Sequence, residues 1–146
     1  MKEIDPSKIR NLSDIVFNKK NNTLSTHIKI KDILFRKDGS VNVVAENSYS
    51  VLAAGTAGSV KSAYFTNDNI VISLDQKSGV KWVVSVPKRQ ETNVTDMLGA
   101  KALLKDDNLF LIYNEVPSNL EKESDGSPKA FGGWAVKSVI AIALEK

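Results

Sequence analysis

The chain contains no cysteine, a single histidine, two tryptophans and two methionines in 146 residues. Without cysteine there is no disulfide framework and no thiolate chemistry. With His27 alone, any Ser-His-Asp catalyst or histidine-based metal site would have to be built on that one imidazole. Its setting, STHIKI, alternates in the manner of a strand, which favours a surface or edge histidine. Long apolar runs are missing as well. The longest, such as AVKSVIAIAL, falls short of the roughly 20 residues that a membrane-spanning helix needs. The opening MKEIDPSKIR has no apolar stretch of signal-peptide type. A bacterial envelope or secreted location, with any signal outside this chain, is slightly favoured over the cytoplasm. Charge of one sign is scarce: 20 basic and 17 acidic side chains leave a net +3, spread along the chain. That balance argues against a nucleic-acid partner. A salt-sensitive contact through Lys88, Arg89 and neighbouring lysines is the weakest of the binding readings.

Strand signals dominate what is present. DIVF (14–17), HIKI (27–30), ILF (33–35), SVNVVAE (40–46), NIVISLD (69–75), VKWVVSV (80–86), NLFLIYNE (108–115) and KSVIAIALE (137–145) are rich in β-branched and aromatic residues. Turn chemistry separates them: Asp38-Gly39 in RKDGS, the aspartates of LKDDN, and DQKSG, where Gly79 is expected to take the positive φ. Two segments could be helical, residues 5–13 and TDMLGAKALL (95–104); the second could equally be a loop that feeds a strand.

Internal similarity is the next signal. KDGSVNVVAEN (37–47) matches KDDNLFLIYNE (105–115), IVISLDQ (70–76) matches IAIALEK (140–146), and DIVFNKKNNT (14–23) matches WVVSVPKRQET (82–92), in the same order. The expectation is one all-β domain over 1–146 with two repeated four-stranded antiparallel units at about 14–76 and 81–146. The stretches 51–67, a flexible excursion or a hairpin with a mobile tip, and 116–136 then read as long inter-strand loops on one face, where repeat proteins bind their partners.

The hairpin NIVISLDQKSGVKWVVSVP is similar to the repeat of quinoprotein-type β-propellers, in which a strand ends in Leu-Asp, a Ser-Gly turn follows and a tryptophan opens the next strand. The chain also resembles bacterial repeat proteins built from such blades. The resemblance implies propeller-like units, with Trp82 packing between them. Two blades do not close a ring of four to eight. The chain would therefore belong to a longer propeller, complete a ring as a homo-oligomer, or close its eight strands as a barrel or sandwich.

Other motifs have plain explanations. EKESDGS (121–127) spaces its acids like a calcium loop, but the twelfth position is Gly132. Ser85-Val-Pro-Lys88 fits Ser-x-x-Lys, yet within a strand and not at a helix start. Asn11, Asn21 and Asn93 head Asn-x-Ser/Thr triplets that arise by chance in an Asn-rich chain. Phosphate loops, dinucleotide fingerprints and paired catalytic carboxylates are absent from the sequence, so no cofactor is implied. The balance leans away from an enzyme and towards a binding or structural module for a protein or glycan, with Trp134, Phe131 and Tyr64 as the candidate ligand-binding aromatics. The alternative is a cofactor-binding or enzymatic fragment of a larger propeller protein.

Overall fold

The computed structural model describes residues 17–18, 20, 23–54, 59–93, 95–119, 128–132 and 138–144. Over these the chain is all-β. A two-residue pair, β1 (Phe17–Asn18) and β2 (Thr23–Leu24), precedes β3 (Ile28–Phe35), β4 (Val41–Ala54), β5 (Val60–Leu74) and β6 (Val80–Thr92). These four form one antiparallel sheet in the order β3-β4-β5-β6. A 3-10 turn at Thr95–Met97 leads to β7 (Ala100–Lys105), β8 (Asn108–Glu115) and β9 (Ser138–Leu144), a second antiparallel sheet in the order β7-β8-β9. Neither sheet closes into a barrel among the described residues. None of their helical turns is long and apolar enough to cross a membrane.

The two sheets share one apolar layer. Val44, Val71 and Val86 from the first sheet are buried together with Leu109, Leu111 and Tyr113 of β8. Alternation places them there. Along β8 every second residue is buried, from Leu109 to Glu115, while Ala100, Ala102 and Leu104 supply the inner face of β7. Each fully buried valine or leucine contributes about 1.5–3 kcal/mol. Trp82 packs against this layer. At one end of it, Arg36 is buried and donates from Nη2 to the carbonyl of Asp107, tying the β3–β4 turn to the β7–β8 turn.

Several elements differ from the sequence expectation. Residues 51–67 are mostly strand: β4 and β5 remain paired from Val41↔Leu74 out to Ala54↔Val60. Of the two readings of this stretch the described residues take the hairpin, and Tyr49 stacks on Phe65 with ring centroids 4.9 Å apart along the ladder. Strand β6 likewise continues beyond Pro87 to Thr92. A proline inside a strand is tolerated at a bulge, where its missing N–H removes no ladder bond. The stretch 95–104 is the loop-to-strand alternative, with Gly99 at φ 87 turning the chain into β7. The hairpin 69–90 joins neighbouring strands of a single sheet, because β5 pairs with β6 from Leu74↔Val80 onwards. The first internal match falls on β4 and β8 and the second on β5 and β9; β5 is interior to its sheet, whereas β9 pairs only with β8 among the described residues. Residues 5–13 and 121–127, and the outer parts of the third match, lie outside the described residues.

The turns show how sequence sets connection. Asp106 and Asp107 both have positive φ (50° and 63°), making a two-residue link between Lys105 and its partner Asn108. In DQKSG the left-handed residue is Ser78, at φ 61, not Gly79. Glycine is needed at 79 for a different reason. A Cβ there would lie 2.6 Å from Asp75 Oδ2, and Asp75 Oδ1 accepts hydrogen bonds from the amides of Lys77 and Gly79, both at 2.8 Å. The two positions therefore respond oppositely. Ser78→Gly relieves a left-handed L-residue and should stabilise the fold by about 1 kcal/mol, whereas Gly79→Val should cost about 1–3 kcal/mol through the forced contact. Urea unfolding of both variants checks this pairing; a destabilised Ser78→Gly would contradict it.

Candidate functional site: a cleft over a buried ion pair

The site is made by bulges that line up across the first sheet. Between Ile30↔Ala45 and Asp32↔Val44, β3 carries the extra residue Lys31. Between Glu46↔Asn69 and Ser48↔Thr66, β5 carries one more residue than β4. Between Asn69↔Val86 and Asn67↔Arg89, β6 carries one more than β5, where Pro87 and Lys88 stand opposite Asp68. Bulges bend a strand and increase its twist. Three such irregularities fall in adjacent strand pairs, along a line through Lys31, Asn47, Asp68 and Lys88.

Beneath that line lies a buried polar cluster. Lys88, at 0% exposure, donates from Nζ to Glu46 Oε1 at 2.6 Å, to Thr66 Oγ1 at 3.2 Å and to Gln90 Oε1 at 3.2 Å. Burial pushes the lysine below its usual range, against the opposing attraction of Glu46. Thr66 Oγ1 donates to Gln90 Oε1 at 2.6 Å, and the amide of Gly99 reaches the same oxygen at 2.8 Å. Gln90 Nε2 then donates to the Asn114 carbonyl at 2.7 Å, linking the cluster to the second sheet. Asp68, also at 0% exposure, accepts from Ser85 Oγ at 3.2 Å and from the Lys88 amide at 3.4 Å. Nearby, burial raises the carboxyl of Glu115 above its usual range, although the Val116 amide and Asn119 Nδ2 both donate to it at 2.7 Å.

Above the ion pair a cleft of about 320 Å³ opens to solvent. Lys29, Lys31, Ser48, Ser50 and Tyr64 form its sheet side, and Thr95, Leu98 and Gly99 form the opposite wall. Glu46 lies in its lining. The second carboxylate oxygen, Oε2, is buried and accepts no hydrogen bond among the described residues. Lys31 Nζ sits 3.4 Å from it in an ion pair, with the lysine side chain 41% exposed. Gly99 closes over the carboxylate: a Cβ there would stand 3.6 Å from both Glu46 oxygens. That distance is ordinary contact, and glycine is favoured at 99 by its φ of 87°.

Of the three aromatics expected to bind ligand, Tyr64 is half-buried and lines this cleft. Phe131 is 2% exposed, and its backbone pairs with the β6 edge: its N–H donates to the Arg89 carbonyl and its carbonyl accepts from Glu91, both at 2.8 Å. Trp134 lies outside the described residues. The structure thus brings Tyr64, and not Phe131, to the cleft. His27 is exposed, with its ring 5.1 Å from that of Tyr49. Ser85 and Lys88 of the Ser-x-x-Lys pattern take different partners, Asp68 and Glu46. Lys88 also leaves the basic surface suggested for salt-sensitive binding, because it continues the inward phase of Val84 and Val86 while Arg89 faces solvent. Glu46, Thr66 and Gln90 were not singled out from sequence, and Lys88 was read only as a surface cation and as part of a chance Ser-x-x-Lys match. The signal available was period-two alternation: Asn42, Val44 and Glu46 share one face of β4, as Val86, Lys88 and Gln90 do in β6. No group of three or more potential metal-binding side chains occurs among the described residues.

No protein-family model matches the chain, and searches of curated proteins and of solved structures find no significant match.

The ion pair makes a sharp energetic statement. Removing one partner leaves the other charge buried and uncompensated, which costs about 3–5 kcal/mol, whereas replacing both with apolar residues of similar volume is close to neutral. Lys88→Met and Glu46→Leu should each destabilise by that amount, and the double variant should recover most of the loss. Urea denaturation across the double-mutant cycle measures the coupling; additive losses would show that the two charges do not depend on each other.

Proposed function

We propose that the chain is a non-catalytic binding module that holds a polar group of a protein or glycan partner in the cleft between Lys31, Tyr64 and Gly99. The observation that carries this reading is the position of the Glu46–Lys88 pair. A desolvated charge pair is costly to bury, and this one lies directly under a surface cleft with one carboxylate oxygen left without a hydrogen bond. Pockets built for recognition combine apolar walls with a few fixed polar groups; here Tyr64 and Leu98 supply the first and Glu46, Ser48 and Ser50 the second. The matched sequences on β4 and β8 and on β5 and β9 support the related reading that the domain arose from repeated, blade-like units. The order β3-β4-β5-β6 is also that of a single four-stranded antiparallel blade.

The test is a combined glycan and peptide array probed with the wild-type protein, Tyr64→Ala and Lys29→Glu. Both substitutions alter the cleft wall without touching the buried pair. Spots bound by the wild type should lose most of their signal with either variant while the far-ultraviolet spectrum stays the same. Binding profiles identical for all three proteins would overturn the assignment of this cleft.

A further inference from the structure

Resting on the binding reading, we infer that the cleft accepts one acidic sugar residue, a hydroxylated ring that carries a carboxylate. Charge comes first. Glu46 faces three lysines, Lys88 at 2.6 Å, Lys31 at 3.4 Å and Lys29 in the cleft lining, so this group carries a net positive charge towards the rim. A ligand with one negative charge complements that surplus, whereas a cationic ligand is repelled by it. Donor and acceptor chemistry narrows the class further. Glu46 Oε2 accepts no hydrogen bond among the described residues and is held by the Lys31 ion pair at 3.4 Å, so a ligand that draws Lys31 away must bring a donor in its place. A bare carboxylate or a fully ionised phosphate brings only acceptors and would face Glu46 as a like charge. A sugar acid supplies both: its carboxylate meets the lysines and its hydroxyls donate to Glu46.

Lys31 couples the two halves. It stands 3.4 Å from Glu46 Oε2 and is 41% exposed, so the ammonium can turn from Glu46 to the incoming carboxylate while a sugar hydroxyl takes its place. Ser48 and Ser50 offer hydroxyls that donate and accept, and the half-buried Tyr64 offers a flat face to the ring. The volume of about 320 Å³ suits a single ring more than an extended chain.

The experiment is an amide chemical-shift titration of the purified protein with glucuronate, glucose and acetate in parallel, following Ser48, Ser50 and Gly99. Glucuronate should shift these amides, and glucose and acetate should each bind about tenfold more weakly, the loss expected for one charge-assisted hydrogen bond. Lys31→Gln, with its far-ultraviolet spectrum checked against the wild type, should weaken glucuronate by a similar factor and so remove its advantage over glucose. Equal binding of glucose would overturn the role of the acid, and equal binding of acetate would overturn the role of the hydroxyls. An unaffected Lys31→Gln, or no shift at these amides with glucuronate, would overturn the assignment altogether. In each of these cases a Tyr64-sensitive partner on the array would leave the wider binding reading standing.

Discussion

The ammonium of Lys88 is the group around which the rest of this structure is arranged. A lysine with no exposed surface requires a carboxylate and further acceptors within reach, and here they come from three adjacent strands: Glu46 of β4, Thr66 of β5 and Gln90 of β6. To assemble them, the ladder must slip by one residue at each strand pair, and it does so along a single line. The cleft opens beside that line, with Lys31, Glu46, Ser48 and Thr66 in its lining. Charge burial, register and surface shape are therefore one structural decision, made where Pro87 interrupts the β6 ladder.

The line of register shifts also marks a change in the interior between the two sheets. Below it, valines and leucines form the apolar layer that both sheets share, with Trp82 packed against it. Above it, the apolar layer gives way to side-chain hydrogen bonds, of which the Gln90 link to Asn114 crosses between sheets. The interior thus changes character along β6, from apolar at Val84 and Val86 to polar at Lys88 and Gln90. The apolar part supplies most of the folding free energy. The polar part fixes a geometry that apolar packing alone would leave adjustable.

Much of the strand inventory was legible because period-two alternation and aspartate-rich turns leave direct marks on sequence. NLFLIYNE is β8 to the residue, and its alternation orients it correctly. What escaped has identifiable causes. Small residues at 53–58 lack the side chains that usually announce a strand, so the outer halves of β4 and β5 were hidden. In DQKSG the glycine attracts the positive φ by habit, whereas Ser78 takes it and Gly79 answers to the carboxylate of Asp75. The candidate site was missed because a lysine after a proline reads as a solvated strand exit. Its burial depends on a bulge, and a bulge is a property of paired strands that no single strand displays. Tyr64 was picked out for its aromatic ring, but its neighbours in the cleft come from residues as distant in sequence as Lys29 and Gly99.

One backbone amide extends this dependence beyond the site. Gly99 opens the connection to the second sheet, and its N–H donates to Gln90 Oε1, the same oxygen that receives Lys88 and Thr66. The entry of the chain into β7 is thus fastened by the acceptor that helps stabilise a charge inside the first sheet. Local opening at Gly99 would admit water to the ion pair, and loss of the ion pair would loosen the start of β7. The two sheets consequently share one unit of cooperativity at this end of the molecule, and the amide of a single glycine in a connecting turn exchanges with solvent only as often as that unit opens.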